Sequence, residues 1–155
     1  MIHENVPNQL PHVLELGRLT PDFNLRDTLS GTQFTREQFR GKQGLVLLFL
    51  ADPHLASAFL DGIRRDASEY RELNAQVLAI CERPHPEAYG FPILEDRNGQ
   101  TWRQYTHAPT YGYAVFILDN YGGLDKQYIT VQPELLPDPA DVREWCRGAQ
   151  YRCNI

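Results

Sequence analysis

The run Gly44-Leu-Val-Leu-Leu-Phe-Leu-Ala51 limits the folds open to this chain more than any other stretch. It is continuously apolar and is bounded by glycine on one side and Asp52-Pro53 on the other. A strand with one wet face alternates apolar and polar residues, so an unbroken run of strand length predicts a strand covered on both faces, in the middle of a sheet. It is far short of the roughly 20 apolar residues that a membrane helix requires. From Ala56 the period changes. Phe59, Ile63, Ala67, Tyr70 and Leu73 recur at helical spacing, with Arg64, Arg65, Asp66 and Glu69 on the other side, which predicts one amphipathic helix. Ala75-Gln-Val-Leu-Ala-Ile-Cys81 then reads as a second buried strand. The β-α-β unit so formed should hold its two strands parallel, with a right-handed crossover.

The flanking segments complete a single unit over residues 1–155, with 1–16 as an irregular N-terminal arm and 132–155 as a C-terminal helix and tail. Thr35-Arg-Glu-Gln-Phe39 has a threonine cap and predicts one helical turn. Phe91-Pro-Ile-Leu is a short extended piece that passes through Asn98-Gly99 into a short helix around Thr101 to Tyr105. Tyr113–Asp119 and Leu124–Val131 are β-rich and are joined by Asn120-Tyr-Gly-Gly123, residues that tolerate a tight turn, so they predict a hairpin. Asp138-Pro139 opens a last helix, with Asp as cap and Pro at the first helical position, and Val142, Trp145 and Ala149 as its buried side.

Charge and cysteine content narrow the chemistry. The 155 residues carry 15 Lys and Arg against 20 Asp and Glu, a net charge of −5. That disfavours a nucleic-acid partner, which calls for a basic face. The start, Met1-Ile-His-Glu-Asn5, lacks the basic and apolar blocks of a signal peptide, and a cytoplasmic location with no membrane partner is expected. Three cysteines, Cys81, Cys146 and Cys153, are an odd number placed late in the chain and do not form a secreted disulfide framework. A chain of this length folds on its core alone.

Several local patterns, in order, resemble the alkyl hydroperoxide reductase/thiol-specific antioxidant family, the peroxiredoxins. Thr20-Pro-Asp-Phe-Asn-Leu before Ser30-Gly31 is similar to the family's first motif, and Phe39-Arg-Gly-Lys to its "F-x-G-K" ahead of the central strand. Phe91-Pro-Ile-Leu-Glu-Asp-Arg-Asn-Gly resembles "F-P-L-L-S-D-x-x-G", and Val115-Phe-Ile-Leu-Asp-Asn-Tyr-Gly resembles "T-F-L-I-D-x-x-G". The resemblance spans about residues 17 to 131. It implies an α/β, thioredoxin-like fold of the peroxiredoxin type: a three-layer sandwich with a central mixed sheet flanked by helices.

The resemblance also implies a site, and this sequence departs from it. Relatives place a nucleophilic cysteine in a P-x-x-x-T/S-x-x-C pattern at the start of the helix after the central strand, where helix-terminal N–H groups favour the thiolate. Here Pro53 and Ser57 keep their places but Leu60 stands at the cysteine position, and the chain has no cysteine before Cys81. The family's activating arginine, just before the hairpin strand, is matched by Tyr113. A missing covalent nucleophile is not replaced by binding, so an inactive peroxidase is expected.

The remaining candidates are weaker. Cys81 closes a buried strand and reads as a small core residue. Cys146 and Cys153 form a C-x6-C pair. If one helix ran through both they would lie about 10.5 Å apart along its axis, too far for a disulfide. If Gly148 ended the helix, the tail could fold back, and Arg147 and Arg152 would favour thiolates. The histidines His3, His12, His54, His85 and His107 show no local ligand spacing, and no metal or cofactor is expected. His54 and His107 fall near the site that the resemblance implies. Asp52, Asp61 and Asp66 read as helix-end and surface charges. The expected function is that of a peroxiredoxin-like antioxidant module, inactive as a peroxidase and acting through a protein partner, a second copy or a small molecule held over Leu60, Tyr113 and His54. The alternative is a thiol-disulfide oxidoreductase using Cys146 and Cys153, with Cys81 as a further redox candidate.

Overall fold

The computed structural model describes residues 13–85 and 87–153. His3, His12, most of the N-terminal arm and the side chain of Cys153 lie outside what is described. Seven strands, β1 (Asn24–Asp27), β2 (Gln33–Thr35), β3 (Gly44–Leu50), β4 (Ala75–Cys81), β5 (Ile93–Glu95), β6 (Tyr113–Leu118) and β7 (Leu124–Thr130), form one mixed sheet in the order β2-β1-β5-β4-β3-β6-β7. The helices are α1 (Ser57–Arg65), α2 (Ala67–Glu72), α3 (Gln100–Thr106) and α4 (Pro139–Cys153). Among the described residues no helix is long and apolar enough to cross a membrane.

The apolar run predicted as a central strand is β3, parallel to β4 from Gly44↔Ala75 to Leu50↔Cys81 and antiparallel to β6. Strand geometry sends successive side chains to opposite faces, and here both faces are core. Val46, Leu48 and Leu50 pack with Phe59, Leu60 and Ile63 of α1, Tyr70 of α2 and Val142, Cys146 and Ala149 of α4. Leu45, Leu47 and Phe49 pack with Phe23 and with Trp102 and Tyr105 of α3. Phe49 meets the edges of Trp102 and Phe116 at centroid distances of 5.9 and 5.6 Å. At about 2 kcal/mol for each fully buried large apolar side chain, this two-sided strand contributes strongly to stability.

Local signals explain most of the boundaries. In the hairpin of β6 and β7, Asp119 Oδ1 accepts the N–H groups of Tyr121 and Gly123, both at 2.9 Å, and Gly122 takes φ +81°. The turn at 35–39 is a 3-10 turn over Glu37–Phe39. Thr35 Oγ1 accepts the Gln38 N–H at 3.1 Å while Gln38 Oε1 accepts the Thr35 N–H at 2.8 Å, a reciprocal cap. Asp138 Oδ1 accepts the Ala140 N–H at the start of α4. Asp96, buried to 1 % exposure, accepts the N–H groups of Thr101 and Trp102 and the hydroxyl of Tyr111, which satisfies a carboxylate inside the fold.

Two expectations need correction and one open alternative is decided. The amphipathic helix is two helices, because the chain leaves helical geometry at Asp66 (φ −93°, ψ 15°); the Asp66 carboxylate lies 3.5 Å from Arg143 of α4. Gly148 does not end α4, which continues to Cys153, so Cys146 and Cys153 sit on one unbroken helix. Cys146, not Trp145, shares the buried side of α4 with Val142 and Ala149; Trp145 is half-buried, stacked on Tyr128 and under the Lys126 ammonium. Gly62 fixes how closely α1 and α4 approach, since a Cβ there would lie 2.4 Å from Pro139 Cγ.

Candidate functional site

Parallel neighbours deliver their next loops to the same edge of a sheet, and in open α/β sheets that carboxyl edge is where ligands bind. Here β3 ends at Leu50 and β4 at Cys81, which are register partners. The loop after β3 carries Asp52-Pro53-His54, and the loop after β4 carries His85 and Glu87.

These four polar residues meet. Asp52 stays extended and caps the 3-10 turn Pro53–Ala56, its Oδ1 accepting the His54 N–H at 2.9 Å. The imidazoles of His54 and His85 stack face to face, 3.8 Å between centroids and 8° between planes. His54 Nε2 lies 2.7 Å from Glu87 Oε1, and His85 Nε2 lies 3.5 Å from Asp52 Oδ1. The Glu87 N–H donates to the His85 carbonyl at 2.8 Å, tightening the second loop. The four side chains are between 38 and 53 % exposed. The hydrogen bond from His54 holds the Glu87 carboxyl below its ordinary range. A donor atom from each of Asp52, His54 and His85 falls within 4.8 Å of the other two.

The residues carried over from the resemblance lie beneath this cluster. Pro53 is buried and Ser57 is exposed at the start of α1. Leu60 and Tyr113 are 1 and 3 % exposed and share an apolar cluster with Ala56, Phe59 and Cys81. Burial raises the Tyr113 phenol above its usual pKa, although a hydrogen bond with the Asp52 backbone pulls the other way. Burial pushes the Cys81 thiol far up, helped by Asp52 and Asp96. Burial pushes Cys146 up to about 12, although Arg147 pulls the other way. Reactive thiols are exposed and have lowered pKa values; these two have neither property.

The structure therefore brings His54 to the predicted edge. His107 is exposed at the end of α3, with φ +54°, on the other face of the sheet. Local spacing does not single out Asp52, His85 and Glu87 together with His54. The signal that marks them is a pair of triplets, Asp52-Pro53-His54 and His85-Pro86-Glu87, each following one of two adjacent parallel strands.

No family model and no curated protein matches the chain. Solved structures do resemble it. The peroxidoxin BcpB of Mycobacterium tuberculosis is 19% identical with a TM-score of 0.73, over 88% of this chain and 98% of that one. The reduced 2-Cys peroxiredoxin of Plasmodium vivax is 13% identical with a TM-score of 0.77, over 90% of this chain and 83% of that one. A putative protein disulfide isomerase of Bacteroides thetaiotaomicron is 18% identical with a TM-score of 0.72, over 92% and 94%. At these identities the likeness is one of fold: the chain has the thioredoxin-like α/β architecture expected from its sequence.

Proposed function

We propose that this chain is a peroxiredoxin-like redoxin that does not reduce peroxides and acts by binding, as a partner or subunit module. The observation that carries this reading is Leu60. It occupies the place that the resemblance gives to the nucleophile, and it is packed into the core together with Tyr113, which stands in place of the activating arginine. The described thiols do not substitute for it, since Cys81 and Cys146 are buried and held protonated. The surface offered to a ligand at this end of the sheet is the exposed His54 side, not the filled Leu60–Tyr113 layer.

The second reading, a thiol-disulfide oxidoreductase using Cys146 and Cys153, draws support from the fold shared with the putative disulfide isomerase. It is disfavoured by α4. Seven residues of unbroken helix separate the two Cα atoms by about 10.5 Å, beyond the roughly 7 Å that a disulfide spans.

With dithiothreitol as reductant, the protein should consume hydrogen peroxide or an organic hydroperoxide no faster than a variant with all three cysteines changed to serine. Turnover above about 1 s⁻¹ overturns the proposal. Free-thiol counts before and after mild oxidation separate the second reading: it demands the loss of two thiols per chain, and the first demands none.

A further inference from the structure

We infer that Asp52, His54 and His85 form a binding site for a divalent transition-metal ion of the zinc class, with Glu87 holding His54 from behind. The inference does not depend on whether the chain turns over peroxide.

Apart from the cap that Asp52 gives the turn at Pro53, none of these side chains belongs to either core cluster. All four are about half exposed, and ion pairs in that setting contribute little to stability. Yet two loops from different strands set two imidazoles and two carboxylates against one another, and the donor atoms of Asp52, His54 and His85 already lie within 4.8 Å. Zinc bonds of about 2.0–2.2 Å place tetrahedral ligand atoms roughly 3.4 Å apart. The closure required is at most about 1.4 Å, a distance that half-exposed side chains cover by rotating about their own bonds.

Supporting contacts match what metal ligands use. A metal-bound imidazole commonly donates its other ring N–H to a carboxylate, which fixes its tautomer and orientation. Glu87 Oε1 lies 2.7 Å from one ring nitrogen of His54, leaving the other nitrogen for an ion. Asp52 is pinned by the His54 N–H at 2.9 Å, and Glu87 by its own N–H on the His85 carbonyl.

The donor set names the class. Imidazole favours zinc, copper, nickel and iron over magnesium and calcium, which prefer all-oxygen shells. No thiolate joins the set, because Cys81 is buried in the core, so a site selective for soft Cu(I) is not built here. Three protein ligands leave a position open for water or a small anion.

The stack of the two rings is a further consequence. Imidazole lone pairs lie in the ring plane, so two parallel rings 3.8 Å apart do not aim at one point. Coordination must fan them apart, and this distinguishes binding from a plain surface ion pair.

The test uses full-length, tag-free protein stripped with a chelator and carrying Cys153→Ser to remove thiol binding. Equilibrium dialysis with Zn(II), then with Ni(II), should give one ion per chain. His54→Ala and His85→Ala should each weaken binding at least tenfold, and Glu87→Gln should weaken it less. His107→Ala, exposed but elsewhere, should leave it unchanged. In NMR spectra the ring protons of His54 and His85 should shift together on addition of Zn(II), and those of His107 should stay. Absence of stoichiometric binding, or binding that survives the His54→Ala/His85→Ala double variant, overturns the inference.

Discussion

At the carboxyl edge of β3 and β4, two groups of residues lie close together in opposite environments. Leu60, Tyr113 and Cys81 are sealed into the apolar layer under α1 and α4, whereas Asp52, His54, His85 and Glu87 stand half in water on the loops above. The first group is packing: all three side chains are 3 % exposed or less and belong to one apolar cluster. The second holds the groups able to bind or ionise, and it contributes little to the core. Place in a fold thus does not fix a residue's work; solvent access and neighbouring polarity do.

The largest effect should come from the sealed group. Leu60→Ala should lower the unfolding free energy by about 2–5 kcal/mol through lost burial and a cavity, while His54→Ala and His85→Ala should each change it by about 0.5 kcal/mol or less. Urea denaturation measures all three. Similar losses for Leu60 and the histidines would erase the contrast.

Next is the packing that holds the sealed group shut. Alanine is a better helix former than glycine by about 1 kcal/mol, so on propensity alone Gly62→Ala should stabilise α1. A methyl group 2.4 Å from Pro139 Cγ should instead force α1 and α4 apart, for a net loss of about 1–2 kcal/mol. A rise in Tm would mean that this interface yields easily and that the layer is less tightly closed than described.

A third outcome concerns protons. Free thiols ionise near 8.5, whereas folded Cys146 is pushed up to about 12. The folded state therefore holds this proton more tightly. Its contribution to stability is complete below about pH 8.5 and drains away as pH rises toward 12. Urea midpoints should fall more steeply above pH 8.5 in the wild type than in Cys146→Ala. In a Cys153→Ser background, Ellman's reagent at pH 8 should find almost no thiol in native protein and two after denaturation. The smallest effect belongs to Glu87→Gln, which removes a half-exposed pair with His54 and should shift stability by less than about 0.5 kcal/mol.

Legibility in the sequence followed the same divide. β3, β4, β6 and β7 were readable because buried strands leave continuous or alternating apolar runs, and Asp138-Pro139 announced α4 through its capping chemistry. β1 and β2 were not read as strands. They are four and three residues long, with one buried residue between them, and gain their identity by pairing with β5 and with each other. The break at Asp66 is also invisible in the sequence, since the apolar spacing runs on through it from Ile63 to Ala67 and Tyr70. The polar cluster escaped for a related reason. Its ligands come from two loops that only the parallel pairing of β3 and β4 brings together, so no spacing within one segment could reveal it. Leu60 and Tyr113 were located by resemblance, but their burial had to be seen in the packing.

The strand order has a consequence for the chain as it is being made. β3 lies between β4, which follows soon after it, and β6, which is synthesised much later. Until residues 113–118 have left the ribosome, the most apolar strand keeps one open edge, with hydrogen-bonding groups and greasy side chains available to any neighbour. The β1–β2 hairpin waits in the same way for β5 before it can join the sheet. A nascent chain of this topology therefore depends on late segments to protect early ones, and its most vulnerable interval for misassociation or chaperone engagement falls between the synthesis of β3 and that of β6.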